Sequence, residues 1–258
     1  MYVDTFSTDQ PKGSHPMNLR THPSFCLLTV LLSLFAASAA FGQAYEVAPV
    51  TGGGRVEGKV TFLGEVPIKK IIPNKDVEIC GGPRDEVRIT VGADKGVRDA
   101  VVYLKEVKKG KAWGAAEKTP MLENKRCIFE PAVQVMRPGK LDIMNSDAVL
   151  HTTHGYYGGR NAFNVAMPEK DMKISKPVLQ PGYIRVQCDT HNWMHSHLHV
   201  ADSPYYVVTG ADGKFSITDV PPGTYTLVTW QHYVGTTETK ITVKAGEAVV
   251  ANSELKKL

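Results

Sequence analysis

The chain has 258 residues, of which 42% are hydrophobic and 22% are charged, so it is long enough to bury the core of one large domain or two small ones. This composition excludes a chain that is disordered throughout. The formal net charge is +4, and the basic residues are scattered rather than gathered into runs of about five to eight that bind nucleic acids. We therefore expect no nucleic-acid partner.

The N-terminal region has the layout of a secretory signal. A short polar stretch after Met17 leads into an apolar run over 25–40 that ends in small residues, which is typical of a signal peptide that is cleaved on export. We therefore predict a leader over 1–42 with the signal at 17–42, Met17 as an alternative start of translation, and a periplasmic or secreted mature chain that begins near Gln43. No later run approaches the ~18 apolar residues that span a bilayer, so no stable membrane insertion is expected after cleavage; a retained anchor is the alternative.

The cysteine count points to one cysteine with a special role. Cleavage would remove Cys26 and leave Cys80, Cys127 and Cys188, an odd number in an oxidising compartment. The simplest partition is a disulfide between Cys80 and Cys127, with Cys188 kept as a thiolate for a metal ion. Two separate buried thiols at positions 80 and 127 are the alternative that the sequence leaves open.

From position 55 onward, the sequence is typical of short strands separated by turn residues. No long amphipathic helix is predicted. We therefore predict an all-β protein with a linker over 43–54, a β-sandwich domain over 55–202 and a smaller β-sandwich over 203–258. The predicted strands of the first domain are 55–62, 87–91, 100–105, 132–135, 141–145, 183–188 and 195–200, and those of the second are 205–209, 214–218, 225–230, 237–243 and 248–253.

The C-terminal region has two characteristic turn motifs. Residues 209–217 read Thr-Gly-Ala-Asp-Gly-Lys-Phe-Ser-Ile, and residues 219–227 read Asp-Val-Pro-Pro-Gly-Thr-Tyr-Thr-Leu. Over about fifty residues, this region resembles the carboxypeptidase-regulatory or transthyretin-like module. The resemblance implies a small β-sandwich.

Four residues form a candidate metal site. Cys188, His191 and Met194 are spaced as Cys-x-x-His-x-x-Met, and His151 lies upstream. A soft thiolate, two imidazoles and a weak thioether are the ligand set that favours copper and supports one-electron transfer. The strand that ends at Cys188 alternates apolar and polar residues, so we expect the cysteine on its buried side, where the following loop returns His191 and Met194. His151 is expected to arrive from a separate loop.

This pattern resembles a known family. The Cys-x-x-His-x-x-Met loop, with Asn145-Ser-Asp147 followed four residues later by His151, resembles the cupredoxins, and the loop spacing is that of amicyanin. The match extends over about 141–200. It implies a Greek-key β-sandwich in which the cysteine and the two histidines hold one Cu(I)/Cu(II) ion in a trigonal plane with the methionine axial. The pairing with the C-terminal module also resembles proteins labelled as methylamine-utilisation or plastocyanin-like.

Two details leave the reduction potential and one ligand open. The family commonly has Asn directly after the first histidine, where this chain has Thr152, so the reduction potential is not predicted. His154 lies three residues after His151 and is the alternative ligand.

A second set of imidazoles is defined here as the histidine column (His195, His197, His199). If this segment is a strand, the three side chains stand on one face at about 6.5 Å intervals. Neighbouring pairs could chelate a second, weakly bound ion, and a solvated polar face is the alternative interpretation.

The leading prediction is an exported blue-copper electron carrier that shuttles single electrons between redox partner proteins, with the loop bearing His191 and Trp193 facing the partner. The alternatives are a copper carrier or storage protein, and an envelope- or polysaccharide-binding β-sandwich with secondary copper binding. An enzyme is not expected, because the His-Cys-His element and additional histidine pairs that multicopper oxidases need are absent from the sequence. The oligomeric state is left open.

Overall fold

The structure, a computed structural model, describes residues 45–92, 94–114 and 118–257. Within these ranges the backbone forms twenty-one strands and one short helix, so the prediction of an all-β protein is confirmed. None of the described residues belongs to a helix long and apolar enough to cross a membrane. The predicted signal at 17–42 lies outside the described residues. In chain order the elements are β1 (Glu46–Val47), β2 (Gly54–Phe62), β3 (Ile68–Ile71), α1 (Val77–Cys80), β4 (Arg84–Val87), β5 (Val101–Lys105), β6 (Lys109–Gly110), β7 (Met121–Lys125), β8 (Ile128–Glu130), β9 (Val133–Met136), β10 (Gly139–Asn145), β11 (His151–Tyr157), β12 (Arg160–Met167), β13 (Lys173–Val178), β14 (Gly182–Cys188), β15 (His195–Val200), β16 (Tyr206–Val208), β17 (Lys214–Val220), β18 (Gly223–Gln231), β19 (Gly235–Val243), β20 (Ala248–Val250) and β21 (Ser253–Leu255).

The first sandwich is built from strands between residues 121 and 200. One sheet has the order β13-β10-β7-β8 and the other has the order β12-β11-β14-β15-β9. Alternate residues of each strand face a shared core, in which Leu141 and Ile143 of the first sheet meet Ile184, Val186 and Leu198 of the second. This period-two burial also brings Cys188, at the end of β14, to the core side.

The second sandwich has a separate core. Its sheets have the orders β16-β5-β18-β19 and β17-β2-β20, and β21 also pairs with β2. Val56 and Val60 of β2 pack with Leu104 of β5 and with Phe215 and Ile217 of β17.

The strand pairing divides the chain differently from the predicted boundary between 55–202 and 203–258. β2 and β5 pair with C-terminal strands instead of joining the first sandwich. The reason is that the apolar face of the sheet that contains β2 and β17 needs a complementary apolar face, which Leu104 of β5 and Leu227 of β18 supply from the opposite sheet. The two sandwiches lie in one compact unit over Gly42–Leu258, and β1 in the predicted linker pairs with β6.

Five strands of the first sandwich were not predicted: β7, β8, β11, β12 and β13. β11 reads His-Thr-Thr-His-Gly-Tyr-Tyr, which has no apolar alternation to reveal it. The glycine in its middle, Gly155, is required by packing, because a Cβ atom there would lie 2.5 Å from the ring of Phe163 on β12. His151, the first residue of β11, is the one whose side chain reaches Cys188 at the candidate site.

Candidate metal centre

Three of the predicted ligands converge on one point. The Sγ atom of Cys188 lies 3.8 Å from Nδ1 of His151 and 3.7 Å from Nδ1 of His191, and the two nitrogens are 3.1 Å apart. A point equidistant from these atoms lies about 2.1 Å from each, close to the ~2.0–2.3 Å of metal–imidazole and metal–thiolate bonds. All three side chains are buried. The donor set therefore fits one small metal ion.

The sulfur of Cys188 is held as a hydrogen-bond acceptor. The backbone N–H groups of Thr152 and His191 both point to it at 3.4 Å. Burial raises the pKa of this thiol, but the hydrogen bonds from the imidazoles of His151 and His191 and from these two N–H groups outweigh burial and lower the pKa to about 5. The cysteine is therefore a thiolate at neutral pH, the form that binds metal ions.

Met194 closes the loop that follows Cys188. Its N–H donates to the carbonyl of His191 at 3.0 Å, and its carbonyl accepts from the N–H of Cys188 at 3.3 Å. Its side chain is buried in the same core as that of Cys188. The loop thus returns to the strand end as expected, and the axial role of the thioether stays a prediction.

Both histidines are oriented by carboxylates. Nε2 of His151 lies 2.9 Å from Oδ2 of Asp147, and Nε2 of His191 lies 2.8 Å from Oδ2 of Asp76. A carboxylate on one ring nitrogen keeps the proton there and leaves the other nitrogen free to bind a metal ion. Both Nδ1 atoms therefore face Cys188, and they are the nitrogens that would bind a metal ion once they have released the protons that they share with the thiolate. Burial lowers the pKa of His191, and the hydrogen bonds with Cys188 and Asp76 outweigh it, so that the pKa is raised.

Sequence reasoning missed these two carboxylates as functional residues. Asp147 was visible in the Asn-Ser-Asp motif, four residues before His151, and that spacing is the signal that could have identified it. Asp76 lies 115 residues from His191, and no local pattern points to it.

The segment that leads into His151 is fixed by Asn145. This buried side chain donates from Nδ2 to the carbonyls of Val149 and Met167, both at 2.9 Å, and its Oδ1 accepts from the N–H of Asp147. The segment is therefore ordered by its own polar groups, and His151 begins strand β11 with its ring turned into the core.

His154, the alternative ligand, lies on the other side of the sheet. Its Nδ1 is 2.8 Å from Oδ2 of Asp189, and its ring stacks on Tyr156 at 4.0 Å. Because side chains alternate along a strand, a residue three positions after His151 cannot share its face. The structure thus brings His151, and not His154, to Cys188.

Alanine variants separate the two histidines. We expect His151→Ala to weaken Cu(II) binding strongly, because the variant loses one of the nitrogen atoms that would bind the ion. The loss should exceed the ~10- to 100-fold typical of removing only a residue that hydrogen-bonds to a metal ligand. His154→Ala should leave Cu(II) affinity unchanged. Calorimetric titration of the metal-free variants measures both affinities, and equal losses would contradict the assignment.

The ionisation of Cys188 can be measured in the metal-free protein. With a pKa of about 5 in place of the ordinary value of 9.0, the thiolate should be present at pH 7 and disappear as the pH falls through 5. The ultraviolet absorbance of the thiolate, recorded against the Cys188→Ser variant, reports this directly. A difference spectrum that grows in only near pH 9 would contradict the hydrogen-bond arrangement.

Thr152 directly follows His151. Its Oγ1 lies 3.2 Å from Oγ1 of Thr190, and its carbonyl accepts from the N–H of Asp189 at 3.2 Å. The hydroxyl therefore links the strand of His151 to the loop that follows Cys188.

The predicted disulfide between Cys80 and Cys127 is present, and Cys188 is the free cysteine among the described residues. Trp193 donates from Nε1 to the carbonyl of Cys127 at 3.2 Å and is buried, as is His191. These two side chains are therefore shielded by the region around the disulfide, and the expectation that their loop faces a partner stays a prediction.

The histidine column packs against the second sandwich. His199 lies 4.6 Å from the ring of Tyr103, and His197 lies 4.8 Å from the ring of His232 and 5.5 Å from that of Trp230. Within the described residues, none of the groups of three potential ligand atoms that are close enough to share an ion includes this column. Binding of a second ion by a neighbouring pair of these imidazoles stays a prediction.

Comparison with solved structures gives partial likenesses to copper proteins. The chain is 16% identical to a Cu-containing nitrite reductase from Thermus scotoductus, with a TM-score of 0.29 and coverage of 36% of this chain and 25% of that chain. It is 15% identical to a purple cupredoxin from Nitrosopumilus maritimus, with a TM-score of 0.29 and coverage of 32% of this chain and 99% of that chain. It is 13% identical to amicyanin from Paracoccus versutus, with a TM-score of 0.30 and coverage of 34% of this chain and 85% of that chain.

Comparison by sequence concerns the C-terminal region. Residues 197–256 match the family of carboxypeptidase regulatory-like domains. A stretch of 56 residues is 38% identical to the probable rhamnogalacturonate lyase A of Aspergillus clavatus and spans 22% of this chain but only 11% of that protein. Residues 197–256 are thus similar to a carboxypeptidase regulatory-like domain, as predicted, and β2 and β5 from earlier in the chain complete its sheets.

Proposed function

We propose that this chain is an exported copper protein that binds one copper ion through Cys188, His151, His191 and Met194 and passes single electrons between redox partner proteins. The observation that carries the proposal is the convergence of one thiolate and two Nδ1 atoms at mutual distances of 3.1–3.8 Å. A bound copper ion would supply the one-electron Cu(I)/Cu(II) couple.

The surrounding residues suit electron transfer. Cys188, His151 and His191 are at most 2% exposed, so water is kept from the ligand atoms. Each of these three side chains is also held by a second bond: the sulfur accepts from a backbone N–H, and each imidazole donates from Nε2 to a carboxylate. Ligands fixed in this way keep one geometry in both oxidation states, which makes the reorganisation during electron transfer small.

Copper is favoured over zinc by the fourth residue. Zinc sites use cysteine, histidine and carboxylate ligands, whereas the buried thioether of Met194 suits the soft ligand set of copper. Asp76 and Asp147 face the outer nitrogens of the histidines and thus orient the ligands.

A copper carrier or storage protein is the second candidate, and one observation favours it. The imidazole of His191 is fully buried, so a partner cannot touch this ligand directly as long as the site stays covered. A binding role for the C-terminal module, toward a partner protein or a polysaccharide, stays a prediction.

Voltammetry of the copper-loaded chain distinguishes the two candidates. An electron carrier should give a reversible one-electron wave, because both oxidation states are held by the same ligands. A carrier or storage protein should hold Cu(I) and give no reversible wave. Absence of the wave in a protein that retains its copper would reject the electron carrier.

A further inference from the structure

A segment without an assigned role lies over the metal centre. Residues 71–87, named here the cover segment, include α1 and β4 and bring Oδ2 of Asp76 to 2.8 Å from Nε2 of His191. His191 is fully buried, whereas the side chain of Asp76 is 39% exposed. The carboxylate therefore stands between the imidazole and solvent.

The backbone at Asp76 is specialised for this contact. The residue has the left-handed conformation, with φ 47° and ψ 41°, which Asp and Asn adopt more readily than other residues with side chains. It precedes α1, but its side chain makes no capping hydrogen bond to that helix. Helix capping therefore does not explain the carboxylate, and the bond to His191 does.

The cover segment has few attachments to the rest of the chain. Among the described strands, β3 and β4 pair only with each other. Ile71 and Cys80 reach the hydrophobic core, but Ile72 and Val77 are 66% and 49% exposed. The covalent attachment is the disulfide from Cys80 to Cys127.

This disulfide joins the cover segment to the turn that supports the other histidine. The N–H groups of Arg126 and Cys127 donate to the carboxylate of Asp147 at 2.7 and 2.9 Å, and the same carboxylate binds His151. Both sulfur atoms also lie within 4.8 Å of a ring nitrogen of His191. The disulfide thus links the segment that carries Asp76 to the turn whose N–H groups hold Asp147.

We propose that Asp76 is a positioning residue for His191 and that the Cys80–Cys127 disulfide is a latch on the metal centre. While the latch is closed, the cover segment holds the imidazole and shields the metal ion; reduction of the disulfide frees the segment and speeds metal release. This inference rests on the proposed copper-binding function.

The reductant that opens the latch is a dithiol. One of its thiolates attacks a sulfur of the disulfide and releases the other cysteine as a thiolate; its second thiolate then attacks the sulfur of the first in the mixed disulfide and releases the remaining cysteine. Two electrons and two protons pass to the chain, which gains two cysteine thiols, and the dithiol becomes a disulfide.

Substitutions of Asp76 test the positioning role. Asp76→Gly removes the carboxylate in a residue that accepts a left-handed backbone, and Asp76→Asn keeps that backbone and an oxygen acceptor. We expect copper transfer to a soluble chelator to be about tenfold or more faster in Asp76→Gly, the size typical of losing an outer partner of a metal-binding histidine. Asp76→Asn should restore slow transfer and the visible spectrum, and Glu78→Gln on the exposed face of α1 is the matched control.

The latch is tested by opening it in two ways. Reduction of the wild-type protein with a dithiol and the double variant Cys80→Ser/Cys127→Ser should both speed copper transfer. They should also increase hydrogen exchange over 71–87 in the metal-free protein, with β14 unchanged. Equal transfer rates and equal exchange with the disulfide closed and open would overturn the latch.

The exchange measurement separates this inference from the function on which it rests. If the wild-type chain binds no copper but exchange over 71–87 still increases on reduction, the copper function fails and the control of the cover segment by the disulfide is supported. If copper binds and exchange does not respond to reduction, the latch fails and the copper function stands.

Discussion

Replacing Cys188 by serine is expected to abolish the strong visible absorption of the copper-loaded protein. The absorption of a blue-copper site arises from its Cu(II)–thiolate bond, and Cys188 is the free thiol among the described residues. Because this sulfur also accepts two backbone N–H groups and contacts both imidazoles, Cu(II) affinity should fall by more than the ~10- to 100-fold cost of losing an outer partner.

The serine variant needs a control for folding. His154→Ala changes the opposite face of the same sheet and should keep the colour, the affinity and the midpoint of thermal unfolding. Serine is close to cysteine in size, so the metal-free Cys188→Ser protein should also remain folded. A serine variant that keeps the colour of the wild type would exclude Cys188 as the ligand.

Acid is expected to destabilise the fold through histidines outside the metal centre. Burial and neighbouring positive charges lower the pKa of His197 to about 3 and the pKa of His232 to about 4. Burial alone lowers the pKa of His199 to about 4. The unfolded chain binds protons at these sites near the ordinary pKa of about 6.5, so it holds more protons than the folded chain between pH 6.5 and 4. Stability therefore falls as the pH falls through this window, by up to ~1.4 kcal/mol per pH unit for each such histidine.

Removing the titrating group should flatten this dependence. The variant His197→Asn is neutral at all these pH values and retains a polar atom for the hydroxyl of Tyr183, which bonds Nδ1 of His197. Urea unfolding from pH 4.5 to 7, in a Cys188→Ser background that removes the thiolate, gives the slope of the unfolding free energy. An unchanged slope in His197→Asn would show that this imidazole does not resist protonation.

The sequence predicted the contact of Cys188 with His191 better than the architecture around it. Cys188, His191 and Met194 lie in one short loop, so their spacing alone brings them together, and strand alternation correctly placed Cys188 on the buried side. The choice between His151 and His154 needed the start of β11. That strand was not predicted, because its buried positions are His151, Thr153 and Gly155 rather than large apolar residues.

Long-range pairing explains the remaining differences. The alternation of apolar and polar residues in β2 predicts a strand but not the partner of that strand. In the structure β2 pairs with β17, β20 and β21, which lie near the C-terminal end of the chain. The contact of Asp76 with His191 is likewise long-range, because the two residues lie 115 positions apart in the sequence. A residue in an unremarkable stretch becomes part of the centre only when the disulfide to Cys127 and the packing of Ile71 bring the cover segment over the core.

Titration of the purified, metal-free chain with Cu(II), followed by visible absorption and electron paramagnetic resonance, tests the central claim most directly. We predict one copper ion per chain, an intense thiolate-to-copper absorption that saturates at this ratio, and a resonance spectrum typical of a Cu(II)–thiolate site. A colourless protein that binds no copper under oxidising conditions would contradict it.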